Sequence, residues 1–218
     1  CYGREGSMSY NIIQNDSQIL IEGIYFITSQ YPEYDSEMFV DRVTGKKYSV
    51  EMVLQSIQKY VPIDNFLKML IFDFLIGNTD RHQNNWAILE ENGQMKWSPL
   101  YDNSSSLCAY IAQSQIQSYM GKDRKRWNAL VDTKSRSMLR CCMNDEKRPT
   151  HLVVLEYVHD HYCEETIEFV KRITDVLTET SIYAMLNQYS ITELSKEKKN
   201  LILKFLLSKI ELMKQVYF

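Results

Sequence analysis

Ile76-Gly77-Asn78-Thr79-Asp80-Arg81-His82-Gln83-Asn84-Asn85 is the stretch whose reading decides the fold. An acid, Asp80, stands five residues before an amide, Asn85, in a segment too polar for a core element. Upstream, Phe66, Leu67, Leu70, Ile71, Phe74 and Leu75 recur at three- and four-residue spacing. That pattern predicts a mostly buried helix, capped by Asp64 and ended by Gly77. Downstream, Trp86-Ala87-Ile88-Leu89 and Met95-Lys96-Trp97-Ser98 flank Glu91-Asn92-Gly93, so residues 86–101 read as a β-hairpin.

The hairpin carries the argument to Asp102. Paired residue numbers across an antiparallel hairpin have a constant sum. A turn at Gly93-Gln94 sets Asn85 opposite Asp102, and a turn at Asn92-Gly93 shifts that by two residues. Either turn brings both side chains to one end, where an amide oxygen and a carboxylate are hard ligands suited to magnesium. Taken singly, Asp80 and Asn85 read as turn residues and Asp102 as a cap. Their order, with a hairpin between, favours a site. The Asp-to-Asn spacing is that of the protein-kinase catalytic loop, in which the Asp accepts the substrate hydroxyl proton and the Asn carries magnesium. Asp80, His82 and Asn85 are therefore the candidate catalytic residues, and Asn85 and Asp102 the candidate metal ligands. His82 either orients the loop or touches phosphate. Arg81 either forms a salt bridge or faces phosphate.

Leu75 to His82, then Asn85, then Pro99-Leu100-Tyr101-Asp102, resemble the C-terminal kinase region of HipA-like serine/threonine kinases, which include bacterial toxin–antitoxin toxins. Lys134-Ser135-Arg136 and Pro149-Thr150-His151-Leu152 resemble a downstream stretch of that family, and Tyr2 through Tyr10 resembles the strand leading to its hinge. The resemblance implies a mainly α (α+β) fold, the helical C-lobe of a protein-kinase-like fold with a small catalytic β-hairpin. Residues 1–35 would be a remnant of the N-lobe edge and hinge, and residues 36–218 the catalytic lobe. It implies ATP and Mg²⁺ as cofactors, with Asp80 as base, Asn85 and Asp102 on the metal, and backbone at Tyr10 and Ile12 meeting adenine. A protein substrate is implied, with an antitoxin or a missing N-lobe as further partners. Phosphatidylinositol kinases share an Asp-Arg-His-x-x-Asn loop, so a lipid or small-molecule acceptor stays open, as does a non-catalytic binding domain. Asp102 is followed by Asn103-Ser104, not Phe-Gly, which departs from the ordinary protein-kinase switch. No Gly-rich phosphate loop or nucleotide lysine is found; in the family these lie upstream of the strand where this chain starts.

The remaining sequence is bland by comparison. The 218 residues are 44% hydrophobic and 24% charged with a formal net charge of −3, which fits a globular protein and does not suggest a nucleic-acid partner. Lys122-Asp123-Arg124-Lys125-Arg126 reads as solvated surface or as a dock for an acidic substrate. Ser104-Ser105-Ser106 reads as a polar loop or as a phosphorylation site, and Trp86, Trp97 and Trp127 as core residues. Five cysteines without a CxxC pair point to reduced thiols and a cytoplasmic location. No apolar run approaches the roughly 18 residues of a membrane span. The chain opens at Cys1, not Met, so an N-terminal portion is expected to be missing or to lie on another chain. A strand is predicted over Ser7–Ile13, an element of uncertain type over Ile19–Ile27, and a helix capped by Ser49. Later helices are predicted over Glu164–Leu177, Ile182–Gln188 and Lys196–Tyr217.

Overall fold

The computed structural model describes residues 9–218. Ser7 and Met8 of the expected first strand, and the stretch from Tyr2 to Gly6, lie outside the described residues. From Ser9 to Ile13 the backbone is irregular, and no strand forms there. Local side chains take the place of a ladder: Ile13 N–H donates to Asn11 Oδ1 at 3.2 Å and Gln14 N–H to Gln18 Oε1 at 2.8 Å.

The ambiguous run Ile19–Ile27 is half strand and half helix. Strand β1 (Gln18–Glu22) passes directly into helix α1 (Gly23–Gln30). Gly23 makes the change possible. Its N–H donates to Trp86 O at 2.9 Å, and a Cβ there would lie 2.2 Å from the Trp86 ring. Only a residue without a side chain fits so close to an indole. A short ribbon, β2 (Tyr34–Asp35) with β3 (Val40–Asp41), precedes helix α2 (Val50–Ile57). Ser49 caps α2 by accepting Met52 N–H at 3.1 Å.

Helix α3 (Asp64–Ile76) is the buried helix that the spacing predicts, with Phe66, Leu67 and Ile71 fully enclosed. Asp64 does not cap it. Asp64 is already helical, and its carboxylate pairs with Lys68 one turn on, at 2.6 Å. Gly77 ends α3 in the left-handed region at φ 68°. Strands β4 (Ala87–Glu91) and β5 (Gln94–Trp97) form the hairpin, and Asn92 and Gly93, at φ 53° and 80°, make its turn. β1 pairs antiparallel with β4, so the sheet order is β1-β4-β5.

The stretch beyond the hairpin holds a 3-10 turn at Gln113–Gln115 and the short helices α4 (Ile116–Met120) and α5 (Arg124–Asn128), followed by a π-helical turn at Ala129–Thr133. Helix α6 then runs over His151–Val176, beginning thirteen residues before the predicted Glu164. Thr150 caps it, and Val154, Leu155 and Val158 are buried. His159, Asp160 and His161 interrupt the apolar stripe, and a break at Tyr162 (φ −143°, ψ 37°) turns the second half, which together hide its continuity from the pattern. Helix α7 spans Glu179–Leu186, starting before the predicted Ile182 because Thr178 and Ser181 form a capping box. Helix α8 spans Lys196–Tyr217 as predicted. α3 packs against α6, and α6 against α8, giving a mainly helical α+β architecture with two small sheets. Among the described residues, no helix is long and apolar enough to cross a membrane.

One buried lysine lies apart from any ion pair found among the described residues. Lys209 on α8 is wholly buried, and its Nζ has no hydrogen-bond partner among the described residues. The amine lies 4.3 Å from the centre of the Phe74 ring and 5.5 Å from that of Phe205. Burial lowers its pKa from 10.5 to about 7, against the opposing pull of Asp132. Between about 7 and 10.5 the unfolded chain keeps a proton that the native state lacks, so folding stability rises with pH across that window. Lys209→Met is expected to stabilise the protein near neutral pH and to abolish that rise. Urea unfolding at pH 7 and pH 9.5 checks it: the parent gains stability and the variant does not.

Candidate active site

The loop between α3 and β4 is built around one guanidinium. Arg81 is 1% exposed and so is closed off from solvent. Its Nε and Nη2 bond the Asp73 carboxylate at 2.9 and 2.8 Å, Asp73 lying on the last turns of α3. Its Nη1 donates to Asn85 O at 2.6 Å and to Tyr101 O at 2.8 Å, and Nη2 donates to Asn103 Oδ1 at 2.6 Å. Burial raises the Asp73 carboxyl above its ordinary value, and Arg81 and Asn78 oppose that shift. A planar fork with five donors is the one side chain that can hold a helix, a loop and a third segment at once.

That grip places the predicted site residues. Arg81 fixes the backbone of Asn85 and of Tyr101 and the side chain of Asn103, so the amide and the carboxylate are carried by segments joined at one point. The hairpin register, Ile88 opposite Trp97 and Glu91 opposite Gln94, sets Asn85 level with Leu100 and Asp102 two residues further. This is the outcome of the Asn92-Gly93 turn. Asp102 is exposed, sits at φ 48°, and accepts a hydrogen bond from Ser104 Oγ at 2.9 Å. A left-handed aspartate costs conformational energy and is held here by the bonds on either side of it.

Asp80 is exposed, but its backbone is held at both ends. Its N–H donates to Asn78 Oδ1 at 3.1 Å, and its carbonyl accepts from Asn85 Nδ2 at 2.8 Å and from His82 N–H at 3.0 Å. The Asn85 amide nitrogen is thereby committed, which leaves Oδ1 as the atom available to a ligand. An amide oxygen and a carboxylate oxygen, as Asn85 and Asp102 offer, are both hard donors of the kind that magnesium takes. His82 Nδ1 accepts Asn84 N–H at 3.2 Å, a contact within the loop itself. Tyr10 is 97% exposed and Ile12 half-buried in the irregular segment before β1, apart from the hydrogen bonds that tie the loop together.

Several residues that build the loop come from distant parts of the chain. His151, at the start of α6, is buried, and its Nε2 donates to Asn78 O at 2.7 Å. A carbonyl can only accept, so Nε2 holds the proton and Nδ1 accepts from Ser135 Oγ at 3.0 Å. Burial and the nearby Lys209 lower His151 to about 3, which keeps the ring neutral. The stretches Lys134–Arg136 and Pro149–Leu152 thus meet in space: Ser137 N–H bonds Pro149 O, and Arg136 bridges Thr150. Ser105 is buried and donates to Asn78 Oδ1 at 2.5 Å, and Ser106 is buried as well, so only Ser104 of the three serines is exposed. Trp86 is fully buried and stacks on Trp97 at 5.5 Å, and Trp127 is half-buried under Lys204.

A family model described as the HipA-like C-terminal domain matches residues 31–173, well over half of the chain. Among solved structures, the crystal structure of the Helicobacter pylori proinflammatory kinase CtkA is similar, with a TM-score of 0.72 and 18% identity. The match covers 92% of this chain and 70% of that chain. At that identity the likeness establishes the fold alone, which is kinase-like. No curated protein sequence matches the chain.

Removing the Asp73 carboxylate strands a buried guanidinium. Asp73→Ala is expected to lose about 3–5 kcal/mol of folding stability, the range for an orphaned buried ion-pair partner. Denaturant titration reads the loss, and a change below about 1 kcal/mol, typical of an exposed pair, would show that Arg81 is held by its other acceptors.

Proposed function

The chain belongs to the HipA-like C-terminal domain family, and on that premise we propose that it transfers the ATP γ-phosphate to a Ser or Thr hydroxyl of a protein. The observation that supports this reading is the Arg81 joint, which ties Asn85 to the residues on either side of Asp102, while the Asn85 amide holds the carbonyl of the exposed Asp80. Asp80 orients the acceptor hydroxyl and takes its proton, while its pinned backbone keeps the carboxylate from wandering. Asn85 Oδ1 and the Asp102 carboxylate hold the metal. Magnesium bound with ATP supplies neutralisation of charge on the phosphates. His82 acts by shaping the loop.

In this reading residues 1–35 are the edge and hinge of an N-lobe and residues 36–218 the catalytic lobe. Backbone at Tyr10 and Ile12 meets adenine, close in sequence to β1, the strand that pairs with the hairpin. The reaction takes place in the cytoplasm, where ATP is supplied. An antitoxin partner is one setting that the family resemblance suggests.

In the full-length protein, Asp80→Asn is expected to lower phosphotransfer by roughly 10²–10⁴-fold while sparing ATP binding, because it keeps the shape and removes the proton acceptor. Transfer from labelled ATP to protein and to lipid acceptors reads the rate and the acceptor class together. Near-normal transfer would remove Asp80 from this role.

Asp102→Ala deletes a charged ligand and is expected to weaken magnesium-dependent nucleotide binding more than His82→Ala does. Calorimetry with Mg-ATP separates the two variants. An Asp102→Ala protein with unaltered magnesium dependence would place the metal elsewhere.

A further inference from the structure

A cavity of about 690 Å³ opens beside the loop, on the side of Gly77 and Thr79, and is bounded opposite by α5 and the π-helical turn. Its cations are Lys125, Arg126 and Lys134, and its one acid is Asp123. Asp123 is already engaged: as the cap of α5 it accepts Arg126 N–H at 3.1 Å. None of the three basic side chains is in an ion pair among the described residues, and all three are exposed. Arg126 is steadied over the Tyr119 ring at 5.4 Å, another wall of the cavity. The hydroxyls of Ser105 and Ser135, which also line it, are turned to Asn78 and His151. The whole chain carries a formal net charge of −3, so a concavity with a positive balance runs against the average surface.

We infer that this cavity is the docking site for an acidic peptide segment of the phosphate acceptor, with Lys125, Arg126 and Lys134 pairing its carboxylates. The inference rests on the kinase reading for the word acceptor, but the binding itself does not. Thr79 both lines the cavity and adjoins Asp80, so a segment seated there would lie beside the exposed carboxylate. A concave site with three cations and one engaged acid fits a short acidic peptide better than a nucleic-acid strand, which needs a basic track along its length.

The test uses the full-length protein and a fluorescent serine peptide flanked by glutamates, with a glutamine-flanked peptide of equal length as its control. Anisotropy is expected to show the glutamate peptide bound at least about tenfold more tightly, with binding weakening as salt rises. The double variant Lys125→Glu with Arg126→Glu should lose that preference. Lys171→Glu with Arg172→Glu, an equal change of charge on exposed positions of α6, should keep it. Circular dichroism confirms folding, and the salt dependence of the parent tests the same contacts without any variant. In transfer assays the α5 double variant should raise KM for the glutamate peptide and leave kcat near the parental value.

Binding and its loss on charge reversal, without phosphotransfer, would sink the kinase reading and keep the dock. Phosphotransfer with no preference between the two peptides, or with the preference intact in the α5 variant, would sink the dock and keep the kinase reading. Displacement of the peptide by an oligo-dT strand that binds more tightly through the same residues would overturn the choice of a peptide as occupant.

Discussion

The buried pair of Asp73 and Arg81 is the constraint from which the rest of the site follows. Each charge alone is expensive to enclose, so the two must be made together and satisfied on every face. Asp73 can reach its partner only because α3 ends at Gly77 and the chain doubles back. The guanidinium then has donors left over, and it uses them on Asn85, Tyr101 and Asn103. The pair is thus the hub that converts the end of one helix into the position of two later segments. A hydrophobic substitute of equal volume could fill the space but could not orient three acceptors.

A second layer supports this hub from the far side. Asn78 is the point of contact: its backbone oxygen accepts from His151, and its side-chain oxygen accepts from Ser105 and from Asp80 N–H. α6 and the segment after Asp102 therefore lean on the same residue. The neutral imidazole matters here, because a buried imidazolium beside Lys209 would bring two charges together in a dry place. The polar network is dense because each member has few alternatives once water is excluded.

Much of this was legible in the sequence, and what was missed has physical causes. The α3 spacing, the Gly77 stop, the hairpin and the order of Asp80, Asn85 and Asp102 are local patterns, and the structure carries each of those elements. Arg81 could be read two ways from the sequence because a guanidinium suits both phosphate and carboxylate; the deciding partner, Asp73, sits on the apolar helix, outside the loop. His151 lies in a stretch flagged by resemblance, yet its role depends on a contact with Asn78 far away in the chain. Asp64 carried a capping signature but served as a helical ion-pair partner. The first half of α6 escaped because polar residues near a kink broke its stripe. His151 was missed because its partner is 73 residues away, and periodicity carries no information about so remote a contact; at Arg81 and Asp64 one local signal suits two roles.

The contact of Gly77 with Phe205 has a consequence for how the protein comes into being. The ring belongs to α8, and a Cβ on Gly77 would lie 2.8 Å from it, so the start of the loop is closed by α8. Synthesis runs from the N-terminus, so Asp80, Asn85 and Asp102 leave the ribosome well before the element that walls in their loop. Nascent chains can form α3 and the hairpin early, because these are local structures. They cannot fix the loop until α8 has emerged and docked. Completion of the site is therefore timed by the emergence of α8, and chains released before it carry Asp80, Asn85 and Asp102 with the loop unbraced.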